Sequence, residues 1–108
     1  MVVKILPYDK DALSGKLADA EVHFIDGEMQ GLRLLGFAVW ERRAGVRSVT
    51  FPSRTYVVSG ERRSFSLLRP VTDTGAEGKL RDLVLQAYSE FEAQAAARFP
   101  SLLPAAAP

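Results

Sequence analysis

The stretch Arg54-Thr55-Tyr56-Val57-Val58-Ser59-Gly60-Glu61-Arg62-Arg63-Ser64-Phe65 reads as two short strands joined by a two-residue turn. β-Branched and aromatic residues favour a pleated conformation, and Ser59-Gly60 puts glycine at the second turn position, where a primed turn needs positive φ. The register that follows sets Val58 opposite Glu61, Val57 opposite Arg62, Tyr56 opposite Arg63 and Arg54 opposite Phe65. A strand pair closed by so short a turn is antiparallel, because parallel strands need a long crossover.

Toward the N-terminus, Ala44-Gly45 offers a second loop of the same kind. Read that way, Arg43 faces Val46, Arg42 faces Arg47, Trp40 faces Val49 and Ala38 faces Phe51. Pro52 cannot donate to a ladder, so Val46–Phe51 and Arg54–Val58 are expected as separate strands. The run Gly31–Arg42 is the longest strand candidate, with Leu32, Leu34, Ala38 and Trp40 on one face and Leu35, Phe37 and Val39 on the other. Trp40, opposite a valine, is expected in the core. A single helix covers one face only, so Leu35, Phe37 and Val39 are the expected surface of a homodimer. Further upstream, Glu21–Ile25 reads as a strand ended by an Asp26-Gly27 turn, and Val2–Leu6 as one ended by Pro7. Residues 8–18 show no clean period and read as loop or a weak helical turn.

Toward the C-terminus, Thr74-Gly75-Ala76-Glu77 has the spacing of a capping box, in which a Thr hydroxyl and a Glu carboxylate satisfy each other's backbone N–H groups. Leu80, Val84, Ala87, Phe91 and Ala95 follow at helical spacing, with Leu83 and Tyr88 widening the stripe. The pattern predicts a helix from Glu77 to about Arg98, stopped by Phe99-Pro100. The fold class is therefore α+β: an antiparallel sheet of about five strands with one amphipathic C-terminal helix packed on it. One domain over 1–99 is expected, with residues 100–108 an Ala- and Pro-rich disordered tail.

Composition excludes more than it includes. There is no cysteine, which rules out disulfides and thiolate metal sites and makes a cytoplasmic location the expectation. No apolar stretch nears the roughly 20 residues of a membrane span. His23 is the only histidine and reads as structural. The carboxylates Asp9, Asp11, Asp19, Glu21, Asp26 and Glu28 match no acid/base or metal spacing, and no phosphate-binding glycine loop occurs. The chain is thus expected not to be an enzyme, with no metal, no cofactor and no small-molecule substrate.

The net charge of +1 conceals segregation. Residues 31–70 carry eight arginines against Glu41 and Glu61, a net +6, between flanks of −3 and −2. Arginine is the side chain best shaped for bidentate contact with phosphate or carboxylate. The alternative is that these arginines keep a β-surface soluble or pair with the acidic segments of the same fold. In the registers above, Arg42 and Arg47 stand opposite each other, a destabilising placement unless an anion sits between them. Arg54, Tyr56, Arg63 and Phe65 share one face of the second hairpin, interleaving guanidinium groups with rings as phosphate contact and base stacking require. The same residues read equally well as a sheet margin, with Tyr56 and Phe65 in the core and the arginines solvating its edge.

Four pieces in order resemble the SpoVG family, small bacterial proteins named from sporulation and septation. Val49-Thr50-Phe51-Pro52-Ser53-Arg54-Thr55 is similar to the family's apolar strand ending in Met-Pro-Ser-Lys-Arg. Gly60-Glu61 with Arg62-Arg63 is similar to Gly-Glu-x-Arg, and Arg69-Pro70-Val71 stands where the family has His-Pro-Ile. The run from Lys79 to Tyr88 resembles Lys-Ile-x-Asp-x-Val-Leu-x-x-Tyr. With the hydrophobic strand and turn that precede them, the matching features run from roughly Gly31 to Phe91, with Thr55 where the family often has a second basic residue. The resemblance implies a homodimeric, nucleic-acid-binding regulator of DNA or RNA, with Ser53 and Arg54 in the signature. With the arginine pattern, the expected nucleic-acid-binding residues are Arg42, Arg47, Ser53, Arg54, Tyr56, Arg62 and Arg63. The alternative is a non-enzymatic protein–protein interaction module or structural homodimer.

Overall fold

Alternation of side chains decides the first sheet. In the computed structural model, which describes residues 1–7 and 15–98, β2 (Lys16–His23) points Ala18, Ala20 and Val22 inward and Asp19, Glu21 and His23 outward. It pairs antiparallel with β1 (Val2–Pro7) on one side and with β3 (Arg33–Glu41) on the other. β4 (Arg47–Thr50) adds to β3, giving a four-stranded meander in the order β1-β2-β3-β4. β5 (Ser53–Val58) and β6 (Glu61–Ser66) form a separate two-stranded sheet. The helix α1 runs from Ala76 to Arg98. The α+β class holds, with six strands in two antiparallel sheets among the described residues where about five in one sheet were expected. The expected tail and the Phe99-Pro100 stop lie outside the described residues.

The core lies between one face of the four-stranded sheet and α1. Ala18, Ala20, Val22, Phe37 and Val39 meet Val84 and Tyr88, and Val3, Ile5, Leu80, Leu85 and Phe91 close the margins. Ala18 and Ala20 on β2 and Val84 on the helix are all buried in this core. The buried stripe of the helix is the expected one at Leu80, Val84, Tyr88 and Phe91, but its margin differs: Leu85 turns inward, while Leu83 is exposed.

Three local features depart from the sequence reading. First, β3 carries a bulge. Ala20 pairs with Phe37 but Val22 with Leu34, so β3 spends one residue more than β2 over this interval. Gly36, at φ +105°, takes up the extra residue against Pro52. The bulge switches the inward set from Leu34 to Phe37 and Val39, and leaves Leu35 about half exposed. Phe37 and Val39 are therefore covered by their own helix, and the expected Leu35–Phe37–Val39 dimer surface does not exist as a patch. The other face of the sheet is mixed: it presents Lys4, Asp19, Glu21, His23, Arg33, Ser48 and Thr50 together with Val2, Leu6, Ala38 and Trp40.

Second, the β3–β4 loop has three residues, Arg43-Ala44-Gly45, in a tight 3-10 turn with φ of 61° at Ala44 and 75° at Gly45. Arg42 N–H donates to Val46 C=O, and the register moves by one residue, to Glu41 opposite Arg47 and Val39 opposite Val49. A one-residue slip exchanges the two faces, and here it replaces the Arg42–Arg47 opposition with a pair of opposite charges.

Third, the helix is opened by Asp73 rather than Thr74. Asp73 Oδ1 accepts the Gly75 N–H at 2.8 Å, its carbonyl accepts the Ala76 N–H, and the Gly75 carbonyl takes the first helical bond, from Lys79.

Candidate nucleic-acid interface

Everything that sets the basic hairpin apart begins at its root. Phe51 packs edge-on against Phe37, with ring centroids 5.4 Å apart, and Pro52 is buried behind it. The Pro52 carbonyl accepts the Leu67 N–H at 2.8 Å, closing the hairpin one pair below Ser53 and Ser66. Beyond this point every residue from Ser53 to Phe65 is exposed, so β5 and β6 form an arm standing out from the folded body. Its register is the expected one throughout, from Val58 opposite Glu61 to Arg54 opposite Phe65. Ser59 and Gly60, at φ 52° and 80°, make the primed turn.

One face of the arm carries Arg54, Tyr56, Val58, Glu61, Arg63 and Phe65; the other carries Ser53, Thr55, Val57, Arg62, Ser64 and Ser66. On the first face Tyr56 and Phe65 meet diagonally, edge to face, at 5.7 Å. Both rings remain about two-fifths exposed, so they are not the core residues that one reading made them. Arg63 Nη2 donates to Glu61 Oε2 at 3.1 Å across two exposed side chains. Arg54 and Arg62 make no ion pair among the described residues. Three arginines against one glutamate give the arm a net +2.

Arg42 and Arg47 belong elsewhere. The Arg47 guanidinium holds both carboxylate oxygens of Glu92 on α1, at 2.9 Å for Nη2, and lies 5.0 Å over the Tyr88 ring. The hydrogen bond to Glu92 raises its pKa further above an already high value. Arg47 is thus a clamp between sheet and helix. Arg42 lies 5.2 Å over the Trp40 ring and donates from Nε to Ser48 Oγ at 3.1 Å, on the open face of the four-stranded sheet. Trp40 is half-buried there rather than in the core, with Nε1 donating to Thr50 Oγ1 at 2.8 Å. The seven expected contact residues therefore divide: Arg54, Tyr56 and Arg63 share an arm face, Ser53 and Arg62 share its reverse, and Arg42 and Arg47 are on the body.

The Trp40–Arg42 stack was missed in the sequence, although two residues apart on a strand means one shared face. His23 Nε2 pairs with Glu21 Oε1 at 2.9 Å, and Arg33 Nη1 reaches the same oxygen at 3.3 Å. The hydrogen bond to His23, then the charge of Arg33, hold the Glu21 carboxyl below its ordinary value. Among the described residues no three His, Asp or Glu side chains converge as metal ligands would, and no helix is long and apolar enough to cross a membrane. An apolar groove of about 140 Å³, lined by Phe51, Leu68, Pro70 and Leu80, runs between the root of the arm and the start of α1. Comparison with protein-family models, curated proteins and solved structures returned no match for the chain.

Proposed function

We propose that this chain is a SpoVG-like, non-enzymatic nucleic-acid-binding protein, a cytoplasmic homodimer that grips its ligand with the β5–β6 arm. The observation that carries the reading is the exposed arm face on which Arg54 and Arg63 flank the Tyr56–Phe65 ring pair. Guanidinium groups suit phosphate oxygens, and rings two-fifths open to solvent offer flat apolar surface on which unpaired bases stack. Arg62 and Ser53 on the reverse face reach a backbone that wraps the arm. Arg42 and Arg47 take no part in this contact.

The test is binding to random single- and double-stranded DNA and RNA across a salt series. Phosphate contact gives a steep fall of affinity with salt, through counterion release. An Arg54→Ala/Arg63→Ala double variant that binds as well as the parent chain rules the reading out. The second reading, a protein-interaction module, draws on Val57, Val58 and Leu67, all exposed on or beside the arm. An apolar contact of that kind is largely indifferent to salt.

A further inference from the structure

We propose that the outer edge of β5 is a self-pairing surface, on which a second copy of this chain docks antiparallel to make one four-stranded sheet from two arms. The inference rests on the homodimer part of the reading above and not on its nucleic-acid part. A lone two-stranded hairpin is marginal in water, and this one stands outside the four-stranded sheet with both outer edges unpaired among the described residues.

The pattern of free groups follows from the register. At a two-residue turn the flanking pair, Val58 and Glu61, exchanges both backbone bonds, and so do Tyr56 with Arg63 and Arg54 with Phe65. The Leu67-to-Pro52 bond falls in the same series. The intervening residues Ser53, Thr55 and Val57 on β5, and Arg62, Ser64 and Ser66 on β6, turn N–H and C=O outward.

The two edges differ in protection. β6 places Glu61, Arg62 and Arg63 in six residues, the charge density by which natural edges resist pairing. β5 has Arg54 alone, among Thr55, Tyr56, Val57 and Val58, the residue types that favour strands. Val57 is two-thirds exposed and Val58 and Tyr56 about two-fifths, although all three are apolar or aromatic.

A second copy fits this edge without a like-charge clash. With a two-fold axis at Thr55, Thr55 exchanges bonds with the partner's Thr55, and Ser53 with the partner's Val57. Arg54 then stands opposite the partner's Tyr56, a cation beside a ring, and the relation repeats by symmetry. Each outward group of Ser53, Thr55 and Val57 is satisfied. An interface of one six-residue strand is small, so the dimer is a micromolar one, formed and lost with concentration.

Sedimentation equilibrium without nucleic acid, from micromolar to about millimolar chain, tests this. The wild-type mass rises from one chain to two. Thr55→Pro removes an outward N–H while leaving the bonds inside the arm, and weakens the dimer about tenfold or more. Ser64→Pro, the equivalent change on β6, leaves the dimer as it was. In wild-type protein, the Thr55 and Val57 amides become slower to exchange as concentration rises. A wild-type mass of one chain throughout overturns the proposal. So does a Thr55→Pro variant that dimerises like the parent, or exchange at Thr55 and Val57 that ignores concentration.

Discussion

Arg47 on β4 and Glu92 on α1 are joined through both terminal guanidinium nitrogens, and the same guanidinium stands 5.0 Å over the Tyr88 ring. An arginine from the most basic part of the chain thus joins the helix to the sheet. Both partners are about one-third exposed, which keeps the ion pair near the surface range. Arg47→Ala should cost about 1 kcal/mol in urea unfolding, the upper end for exposed pairs because the geometry is bidentate. Its affinity for nucleic acid should match the parent's, which separates the clamp from the arm.

Gly36 meets Pro52 where the arm leaves the body. An added Cβ would stand 3.1 Å from Pro52 Cβ and 3.2 Å from its Cα, at φ +105°. Neither contact is with the end of a flexible side chain, so the backbone itself must shift. Gly36→Ala should destabilise by roughly 1–3 kcal/mol, read as a lower urea midpoint with an unchanged slope. An unaffected midpoint would mean that the bulge is not held against Pro52.

The helix cap gives a comparison of neighbours. Asp73→Ala removes the acceptor of the Gly75 N–H and a negative charge at the helix N-terminus, and should cost about 1 kcal/mol. Thr74→Ala should cost clearly less. Thermal unfolding of the two variants side by side decides which residue opens α1.

What was legible in the sequence was set by short-range chemistry. Ser59-Gly60 fixes its own turn, and with it the whole register of the arm. Ala44-Gly45 was legible as a loop but not as a three-residue one, because Ala44 rarely accepts the positive φ it has here. Glu41 opposite Arg47 is a better partner than Arg42, and that preference was the available signal. Gly36 inside an apolar strand signalled a bulge, and without it the faces of β3 were exchanged. β2 was missed before Glu21 since Ala18 and Ala20 are weak strand formers, although Ala18, Ala20 and Val22 alternate with Asp19, Glu21 and His23. The Arg47–Glu92 pair spans 45 residues, a separation no local pattern encodes.

Stability should fall at both ends of the pH scale for identifiable reasons. Burial, the largest influence, raises the Tyr88 phenol above its ordinary 10.0. The folded state therefore holds that proton more tightly than the unfolded one. Its contribution is full below pH 10.0 and is lost as pH rises through the folded value. Glu21 behaves oppositely, since His23 and Arg33 lower its pKa: its contribution is full above 4.5 and lost as pH falls through the folded value. In pH-dependent urea unfolding, Tyr88→Phe should flatten the alkaline limb and Glu21→Gln the acid limb. A Tyr88→Phe variant with an unchanged alkaline limb would show that the phenol is not the group responsible.

Arg54 and Arg63 share one arm face but not one state. Arg54 has no ion-pair partner among the described residues, while Arg63 is held by Glu61 at 3.1 Å. To reach a phosphate Arg63 must give up a carboxylate, so part of its gain is returned. If the arm binds nucleic acid, Arg54→Ala should flatten the plot of log affinity against log salt by roughly one unit, and Arg63→Ala by less. Glu61→Ala frees Arg63 and removes a like charge from the ligand's path, so it should tighten binding. Tyr56→Ala removes a stacking surface worth about 1–3 kcal/mol per unpaired base, hence a loss of roughly five- to 150-fold on single strands. Duplex binding should change little, because paired bases cannot reach the ring. Equal losses on single strands and duplexes would show that Tyr56 supports the arm through Phe65 at 5.7 Å and does not stack on bases.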